Sequence, residues 1–450
     1  MFGTSRVERI RKRMNEILTR IQDRSAVVGI IGQGYVGLPL ALVFEEAGFA
    51  VRGFDVDPKK VEALERGESY IRHIGSERVQ AAVKRGRFAV TTDFDRLTEC
   101  DAILICVPTP LGTHREPDLS FIHETAKAIA RRLRRGQLVV LESTTYPGTT
   151  DEEVRPILET SGLTCPDDFL LAFSPEREDP GNAHFNTKTI PKVVGGVNAP
   201  STEAAVALYA AGVDKVVAVS SARVAESSKL LENVFRSINI ALVNELKVTF
   251  DRMGINVWEV IEAAKTKPFG FTPFYPGPGL GGHCIPLDPF YLSWKASEYG
   301  MWTRFIELAG EVNTGMPRYV VTKVTDALND VQKSVKGARI LVLGLSYKEN
   351  IDDDRESPSY ELIEYLQDKG AHVDYCDPYF PHARHGRRHS LNLSSVPCDN
   401  ETFRKYDALL VSTAHSQFKD PALYAGVDLV IDTRNIVRAA PAGPRVVVGA

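Results

Sequence analysis

The sequence predicts an α/β protein: two doubly wound domains joined by a long central helix and a helical region. Three observations carry that reading. The apolar stretch "AVVGII" (26–31) runs into the glycine turn "GQGYVG" and then into "LPLALVFEEAG", the order strand, turn, helix. From Ala338 the same order returns in "ARILVLGLSYK", "SPSYELIEYLQDKG" and "AHVDYCDP". Between the two, Ser221 to Met253 contains neither proline nor glycine, enough for one helix of about nine turns at 3.6 residues each.

Composition narrows the function classes. The 450 residues are 43% apolar and 25% charged, ordinary for a globular chain of about three domains, and the formal charge is only -4. No strong field draws in nucleic acid or an anionic membrane, so a polyanionic ligand has to be gripped locally. The six cysteines (Cys100, Cys106, Cys165, Cys284, Cys376, Cys398) form no CxxC pair, which speaks against a zinc site or disulfide framework and for a reducing compartment. No metal is expected. No apolar run reaches the roughly 18 residues of a membrane span and no signal peptide opens the chain, so a cytoplasmic location is expected.

Residues 1–24 read as an N-terminal amphipathic helix that docks, with Val7, Ile10, Met14, Ile17 and Ile21 at helical spacing; Glu8, Glu16 and Asp23 disfavour a transit peptide. Residues 25–220 read as a Rossmann-like dinucleotide domain. Gly32, Gly34 and Gly37 form GxGxxG between strand and helix, and Asp55 ends the next strand. The glycines permit a tight turn and close approach to a pyrophosphate, the helix N-terminus favours its charge, and the acid binds a ribose 2′-hydroxyl while repelling a 2′-phosphate. NAD is therefore the expected cofactor. Further strands, "DAILICVPTP" (101–110) and "QLVVLESTTYPGT" (137–149), run into small polar and proline residues where such sheets bind ligands. Residues 221–335 form the central helical region. Its first helix carries an apolar stripe, Leu231, Val234, Phe235, Ile238, Leu242 and Leu246, ends at Gly254, and is followed by shorter helical patterns to about 330. It suits a connector or subunit interface as well as a core spine, and at least a dimer is expected. Residues 336–450 form the second Rossmann-like domain. There Gly344 is followed by Leu345, Ser346, Tyr347 and Lys348 rather than GxGxxG, so no second dinucleotide is expected, and Lys348 is placed to meet a phosphate of another ligand.

Four segments carry candidate chemistry: "SPEREDPG" with Glu176, "ESSKLLENV" with Lys229 and Asn233, "GGHCIPLDP" with Cys284 and Asp288, and "GLSYKENIDDDRESP" with Lys348 and Arg355. Lys229 and Asn233 stand at i and i+4, two donors on one helix face for one developing oxyanion, or else a solvated face. Gly281, Gly282 and the preceding "GPG" let backbone approach a ligand closely. A Cys284 thiolate there could add to an aldehyde, and hydride loss from the thiohemiacetal would leave a thioester for water to cleave. An inert, buried cysteine is the alternative.

Through "GQGYVGLPLA", "VPTP", "ESTTYPGTT", "SPEREDPGN", "KLLENVFRSINIALVNE", "GPGLGGHCIPLDPFYL" and "GLSYKENIDDDRESPS", the chain resembles the UDP-sugar 6-dehydrogenase family over about residues 25–440. The resemblance implies two successive NAD-dependent oxidations of carbon six of a UDP-sugar to the carboxylate, with a thioester on the cysteine. It implies Cys284 as nucleophile, Lys229 and Asn233 as oxyanion donors, Asp288 positioning or activating water, Glu176 as base in hydrolysis, and Thr144 holding water or substrate. For the cofactor it implies Gly32, Gly34, Tyr35, Val36, Gly37, Asp55, Lys60, Pro108 and Thr109. For the UDP-sugar it implies Arg177, Tyr275, Gly281, Lys348, Arg355 and Arg434.

Two departures direct the substrate expectation. Leu287 stands where UDP-glucose dehydrogenases usually carry a lysine, and Pro180 stands where they carry a second glutamate, with Glu178 and Asp179 only near it. Both resemble the UDP-N-acetylhexosamine branch, and "GPGLGGHCIPLDPFYLSWKASEYG" is most similar to enzymes oxidising UDP-N-acetylglucosamine. The manno and galacto epimers are the nearest rivals, then UDP-glucose. A one-step NAD-dependent hydroxyacid dehydrogenase needs neither Cys284 nor a second α/β domain, and a non-catalytic nucleotide-sugar binder needs none of the candidate catalytic set.

Overall fold

The computed structural model describes residues 6–71, 74–110, 112, 116–177, 185–282, 285–383, 389, 391–437, 444 and 446–450. The chain divides into two compact units, Met1–Glu232 with Phe290–Met301, and Asn233–Pro289 with Trp302–Ala450.

The first unit is built on eight strands: β1 (Val27–Ile31), β2 (Ala50–Phe54), β3 (Phe88–Thr91), β4 (Ala102–Ile105), β5 (Leu138–Leu141), β6 (Leu170–Phe173), β7 (Lys192–Gly196) and β8 (Val216–Ala218). Their order is β3-β2-β1-β4-β5-β6-β7-β8. Neighbours run parallel except β6 and β7, which pair antiparallel. The central strands "AILI", "LVVL" and "LLAF" are buried throughout, as strands covered on both faces must be. Side chains alternate between the two faces. Val28, Ile30, Leu104 and Val140 pack with Leu40, Phe44 and Tyr209 on one side, and Ile31, Ile103, Ile105 and Val139 with Ile122 and Ile129 on the other.

The N-terminal helix α1 (Arg6–Gln22) docks through Ile17 and Ile21, both within the first of these clusters. Two guanidinium groups fix its register: Arg13 reaches Asp168 at 2.7 Å and Arg20 reaches Asp101 at 2.6 Å. Asp101 also accepts the Val27 amide at 2.9 Å, so the helix is tied to the first residue of β1. Helix α2 (Gly37–Glu46) follows the glycine turn, and α3 (Ala199–Ala210) covers the far half of the sheet.

Helix α4 (Ala222–Arg252) is one continuous 31-residue element, and Gly254 beyond it adopts φ +71°, the left-handed conformation that a helix stop favours. Helix α5 (Asp288–Glu298) follows. The expected shorter helices before residue 330 are present at Val257–Lys265 and in α5, and the last of them, α6 (Arg304–Asp330), extends to 27 residues and runs through Pro317. Pro317, which disfavours helix locally, is buried there with Met316, Val320 and Val321, so packing overrides the local preference.

The second unit carries the sheet β9 (Arg339–Leu343), β10 (His372–Cys376), β11 (Ala408–Val411), β12 (Leu429–Asp432) and β13 (Val446–Gly449) in the parallel order β10-β9-β11-β12-β13. Ser357 caps α7 (Pro358–Asp368) by accepting the Ser359 amide, with Pro358 at the first position. A correction concerns the cysteines. Cys376 and Cys398 are joined as a disulfide, with Cα atoms 5.7 Å apart. Their 22-residue separation carries no signal in the sequence; the bridge between Tyr375 and Ser395 brings the segments together.

Ile21→Ala is expected to cost about 2–5 kcal/mol, the range for emptying a packed aliphatic site. Chemical unfolding followed by circular dichroism measures it. A loss under about 0.5 kcal/mol would place α1 outside the cooperative core.

Candidate active site

The turn after β1 is shaped by three different constraints. Gly32 has φ +91°, and a Cβ there would lie 2.5 Å from the Cys106 carbonyl oxygen; on Gly37 it would lie 1.8 Å from the Gly32 carbonyl oxygen. On Gly34 it would meet nothing within 4 Å. The outer glycines serve the fold, and the middle one leaves open space in front of a helix N-terminus, where a pyrophosphate is welcome. Val36 is the residue before α2, and Tyr35 is 39% exposed at this turn. Asp55, buried at the end of β2, accepts the Gln33 amide at 2.9 Å, the Asp57 amide at 3.0 Å and the Lys60 ammonium at 3.3 Å. The acid is thereby aimed before any ribose arrives. These residues fit a dinucleotide, and they fit NAD better than its 2′-phosphorylated form.

The mouths of β4 and β5 are knitted together. Thr109 donates to the Thr144 carbonyl at 2.6 Å and Ser143 to the Val107 carbonyl at 2.7 Å, while Pro108 stays exposed. Tyr291 of α5 donates to the Thr109 carbonyl. Glu176 follows β6. One of its oxygens accepts the Arg177 amide at 2.7 Å, and the other lies 3.6 Å from the Lys192 ammonium. The Arg177 guanidinium is engaged with Glu232 at 2.7 Å and the Pro191 carbonyl at 2.7 Å.

Helix α4 turns polar side chains inward. Glu226, Lys229, Asn233, Ser237, Asn244 and Lys247 are buried, whereas Leu231, Phe235 and Leu242 of the expected apolar stripe are 67%, 51% and 52% exposed. Glu226 accepts the amides of Gly148 and Thr150 at 2.7 and 2.9 Å and the Thr150 hydroxyl at 2.6 Å. Burial nonetheless pushes its carboxyl up to about 7. One turn on, Lys229 is 9% exposed, and among the described residues no hydrogen bond or ion pair reaches its ammonium. A cation carried on such a largely buried stem, with its head free to meet a ligand, favours an anionic one. Asn233 donates at 2.6 Å to Asp288, the first residue of α5 and itself buried. An amide nitrogen carries two hydrogens, so Asn233 keeps one for another acceptor. Cys284 and His283 lie outside the described residues, as do Glu178, Asp179 and Pro180.

Within the second unit, the loop before Cys284 rests on the mouth of the smaller sheet. Gly277 donates to Asn244 at 3.0 Å, Asn244 to Asn313 at 2.9 Å, and Asn313 to the Ser237 carbonyl at 3.1 Å. A Cβ on Gly277 would lie 2.5 Å from the Arg434 guanidinium, and on Gly281 2.5 Å from Tyr347. Gly282 donates to the Arg355 carbonyl at 2.9 Å. The loop thus meets Arg434 at Gly277, Tyr347 at Gly281 and the Arg355 backbone at Gly282, with Lys348 next along the chain from Tyr347. The Arg355 head pairs with Asp353 at 2.6 Å, and the Arg434 Nε donates to the Ser412 carbonyl at 2.7 Å. Burial pushes Arg434 down to about 10. Tyr275 is committed elsewhere, stacking on Trp258 and donating to Glu262 at 2.6 Å. Asp377, the counterpart of Asp55, accepts the amides of Leu345, Ser346, Tyr379 and Phe380 and pairs with buried His415. Its lone pairs are taken up by the fold.

Three domain signatures of one family match along the chain: the NAD-binding domain over residues 26–213, the central domain over 223–315 and the UDP-binding domain over 341–439. The chain belongs to the UDP-glucose/GDP-mannose dehydrogenase family. It is 36% identical to UDP-N-acetyl-D-glucosamine 6-dehydrogenase of Pseudomonas aeruginosa across 87% of this chain and 91% of that protein. It is 39% identical to NDP-N-acetyl-D-galactosaminuronic acid dehydrogenase of Ralstonia nicotianae across 75% of this chain and 79% of that one. The structure of UDP-D-ManNAc dehydrogenase from Pyrococcus horikoshii superposes with TM-score 0.84 at 32% identity, covering 94% of this chain and 98% of that one. The chain is an NAD-dependent UDP-sugar dehydrogenase.

In this dehydrogenase several buried polar residues near these strand ends and on the long helices escape a reading of the sequence. Glu142 opens "ESTTYPGTT", Lys192 opens "KVVGG", and Tyr209 lies in the last turn of α3, yet neither periodicity nor spacing links them; Glu226 and Asn313 are equally silent. The glycine geometry makes a paired prediction. Gly34→Val is expected to raise the NAD dissociation constant about tenfold or more with little change in melting temperature, whereas Gly37→Ala lowers the melting temperature by several degrees. Calorimetric NAD titration and thermal unfolding separate the two, and equal losses of stability would refute the assignment.

Proposed function

We propose that this dehydrogenase oxidises a UDP-N-acetylhexosamine, with UDP-N-acetylglucosamine the best supported, at carbon six to the uronic acid through a thioester on Cys284. The observation that carries the reading is the polar α4 face, where Lys229, whose ammonium has no partner among the described residues, stands one turn before Asn233, itself held on Asp288. An N-acetylated sugar is supported by relatives named for such substrates. Leu287 adds to this, since it is buried at 7% exposure where a lysine would have to bury its charge.

In this reading NAD supplies a hydride acceptor for each of the two oxidations. Cys284 adds across the carbonyl of the aldehyde left by the first, and the second leaves its thioester. Lys229 and Asn233 donate to the oxygen on carbon six while negative charge develops there. Asp288 orients the Asn233 amide and helps place water. Thr144 steadies water or sugar, and Glu176 takes the proton of the water that attacks the thioester. Asp55 and Lys60 hold the adenosine ribose. Lys348, Arg355 and Arg434 serve the UDP-sugar, with Arg177 and Tyr275 as outer members. Residues 25–220, 221–335 and 336–450 act as cofactor, central and nucleotide-sugar segments.

A panel of UDP-N-acetylglucosamine, its manno and galacto epimers and UDP-glucose should show fastest turnover for the first and two NADH per acid formed. One NADH per product would favour the single-step hydroxyacid reading. Cys284→Ser should lower acid formation by about three orders of magnitude or more while NAD still binds; undiminished acid in that variant would remove the nucleophile.

The exposed leucines and phenylalanine of α4 support a homodimer through this helix, since a chain rarely leaves such a stripe in water. Leu242→Asp should shift the mass measured by light scattering from dimer to monomer. A wild-type monomer at assay concentration would end the proposal.

A further inference from the structure

Four ionisable side chains, Cys106, Glu142, Lys192 and Tyr209, lie buried together in the first unit, and the hydrolysis just described uses none of them. Their meeting follows from the one antiparallel pair in the sheet. β7 pairs Gly195 with Phe173 and Gly196 with Ala172, so its first residue, Lys192, lies beside the end of β6, where Glu176 follows. Glu142 arrives from the end of β5 and Tyr209 from α3. The Lys192 ammonium donates to Glu142 at 2.7 Å and stands 3.6 Å from Glu176. Tyr209 donates to the second Glu142 oxygen.

Resting on the reading of Glu176 as the hydrolytic base, we propose that Glu142 and Lys192 are positioning residues: Lys192, anchored by Glu142, is the counter-charge that holds Glu176 ready to accept a proton. Each Glu142 oxygen holds one donor, Lys192 on one and Tyr209 on the other, so Glu142 fixes the lysine and leaves the longer contact of the ammonium toward Glu176. Among the described residues, Cys106, Tyr209 and Arg177 at this mouth add no competing charge. Burial pushes the Cys106 thiol and the Tyr209 hydroxyl well up, which keeps both neutral. The Arg177 guanidinium is paired with Glu232. Burial opposes the charge on Lys192, but the two carboxylates outweigh it and the ammonium persists; burial also raises Glu142, to about 6, while the ammonium 2.7 Å away favours its ionised form.

The step then balances. Water oxygen bonds to the acyl carbon, the carbon–sulfur bond breaks with its electron pair on Cys284, and the water proton passes to Glu176. Protonation takes the three-group cluster from one net negative charge to none, and Lys192 falls back wholly on Glu142. A cation opposite a base favours its ionised form, and a second anion opposes it. Removing Lys192 and removing Glu142 therefore act in opposite directions.

The test uses the full enzyme with UDP-N-acetylglucosamine and NAD, following decay of the acyl-enzyme by quenched intact-mass spectrometry across pH. Lys192→Met should move the acidic limb of the decay rate up by about one to two pH units, slowing decay about tenfold or more at pH values on that limb. Lys192→Arg should restore most of it. Glu142→Gln, nearly isosteric, should move the limb down by about one unit. Limbs unmoved in both variants, with NAD binding intact, would overturn the proposal. If Lys192→Met fails to fold, Glu142→Gln decides, and an unmoved limb there is again fatal. Glu176→Gln separates the two layers: normal decay in that variant refutes the base assignment and the inference together, whereas slow decay there with unmoved limbs in the other two refutes the inference alone.

Discussion

The inward polar face of α4 is the constraint on which the rest of the structure turns. A helix built by hydrophobicity alone would bury Leu231, Phe235 and Leu242 and present Lys229, Asn233 and Lys247 to water. This one buries Lys229, Asn233 and Lys247 beside Leu230, Val234 and Val243, and leaves Leu231, Phe235 and Leu242 exposed. Burying those groups is costly unless each meets a partner, and the surrounding elements are arranged to supply them. Glu226 takes the amides of the segment after β5, Asn233 takes Asp288, and Asn244 joins Gly277 and Asn313. Lys247 bonds Asp251, whose carboxylate also meets Tyr319 and Lys323 of α6. Lys229 has no such partner among the described residues.

The second organising device is used twice with different outcomes. In each sheet an aspartate at the end of the second strand in sequence accepts the amide of the residue after the turn glycine: Asp55 from Gln33 and Asp377 from Leu345. In the first, the remaining geometry leaves Gly34 open in front of a helix N-terminus. In the second, further amides and His415 occupy the carboxylate. The same topology thus yields one dinucleotide turn and one structural turn. The mouth of the smaller sheet instead receives the glycine loop, because Gly277, Gly281 and Gly282 have no side chains to collide with Arg434 and Tyr347.

Local pattern made much of this legible. The glycine turns, the Asp-Pro strand ends and the proline-free stretch before Gly254 have physical meaning within a few residues, so β1, α2, β2, α4, β9, α7 and β10 follow from order alone. The i, i+4 spacing put Lys229 and Asn233 on one face for the same reason. Where a feature depends on residues far apart, pattern was silent or misleading. Pro317 pointed away from the long helix that contains it, the cysteine spacing concealed Cys376 and Cys398, and the apolar stripe of α4 gave no sign of which side faces the core.

By itself the sequence determined the fold class, the cofactor turn and the family to which the chain belongs, because these rest on short-range backbone geometry and on strings of residues read in order. Tertiary structure alone decided that Asp288 would hold Asn233 and that Arg434 and Tyr347 would meet the glycine loop. It also set Lys192 between Glu142 and Glu176. Those three carboxylate and ammonium groups arrive from the ends of three different strands, and the antiparallel turn of β7 that joins them is visible only once the strands are laid side by side.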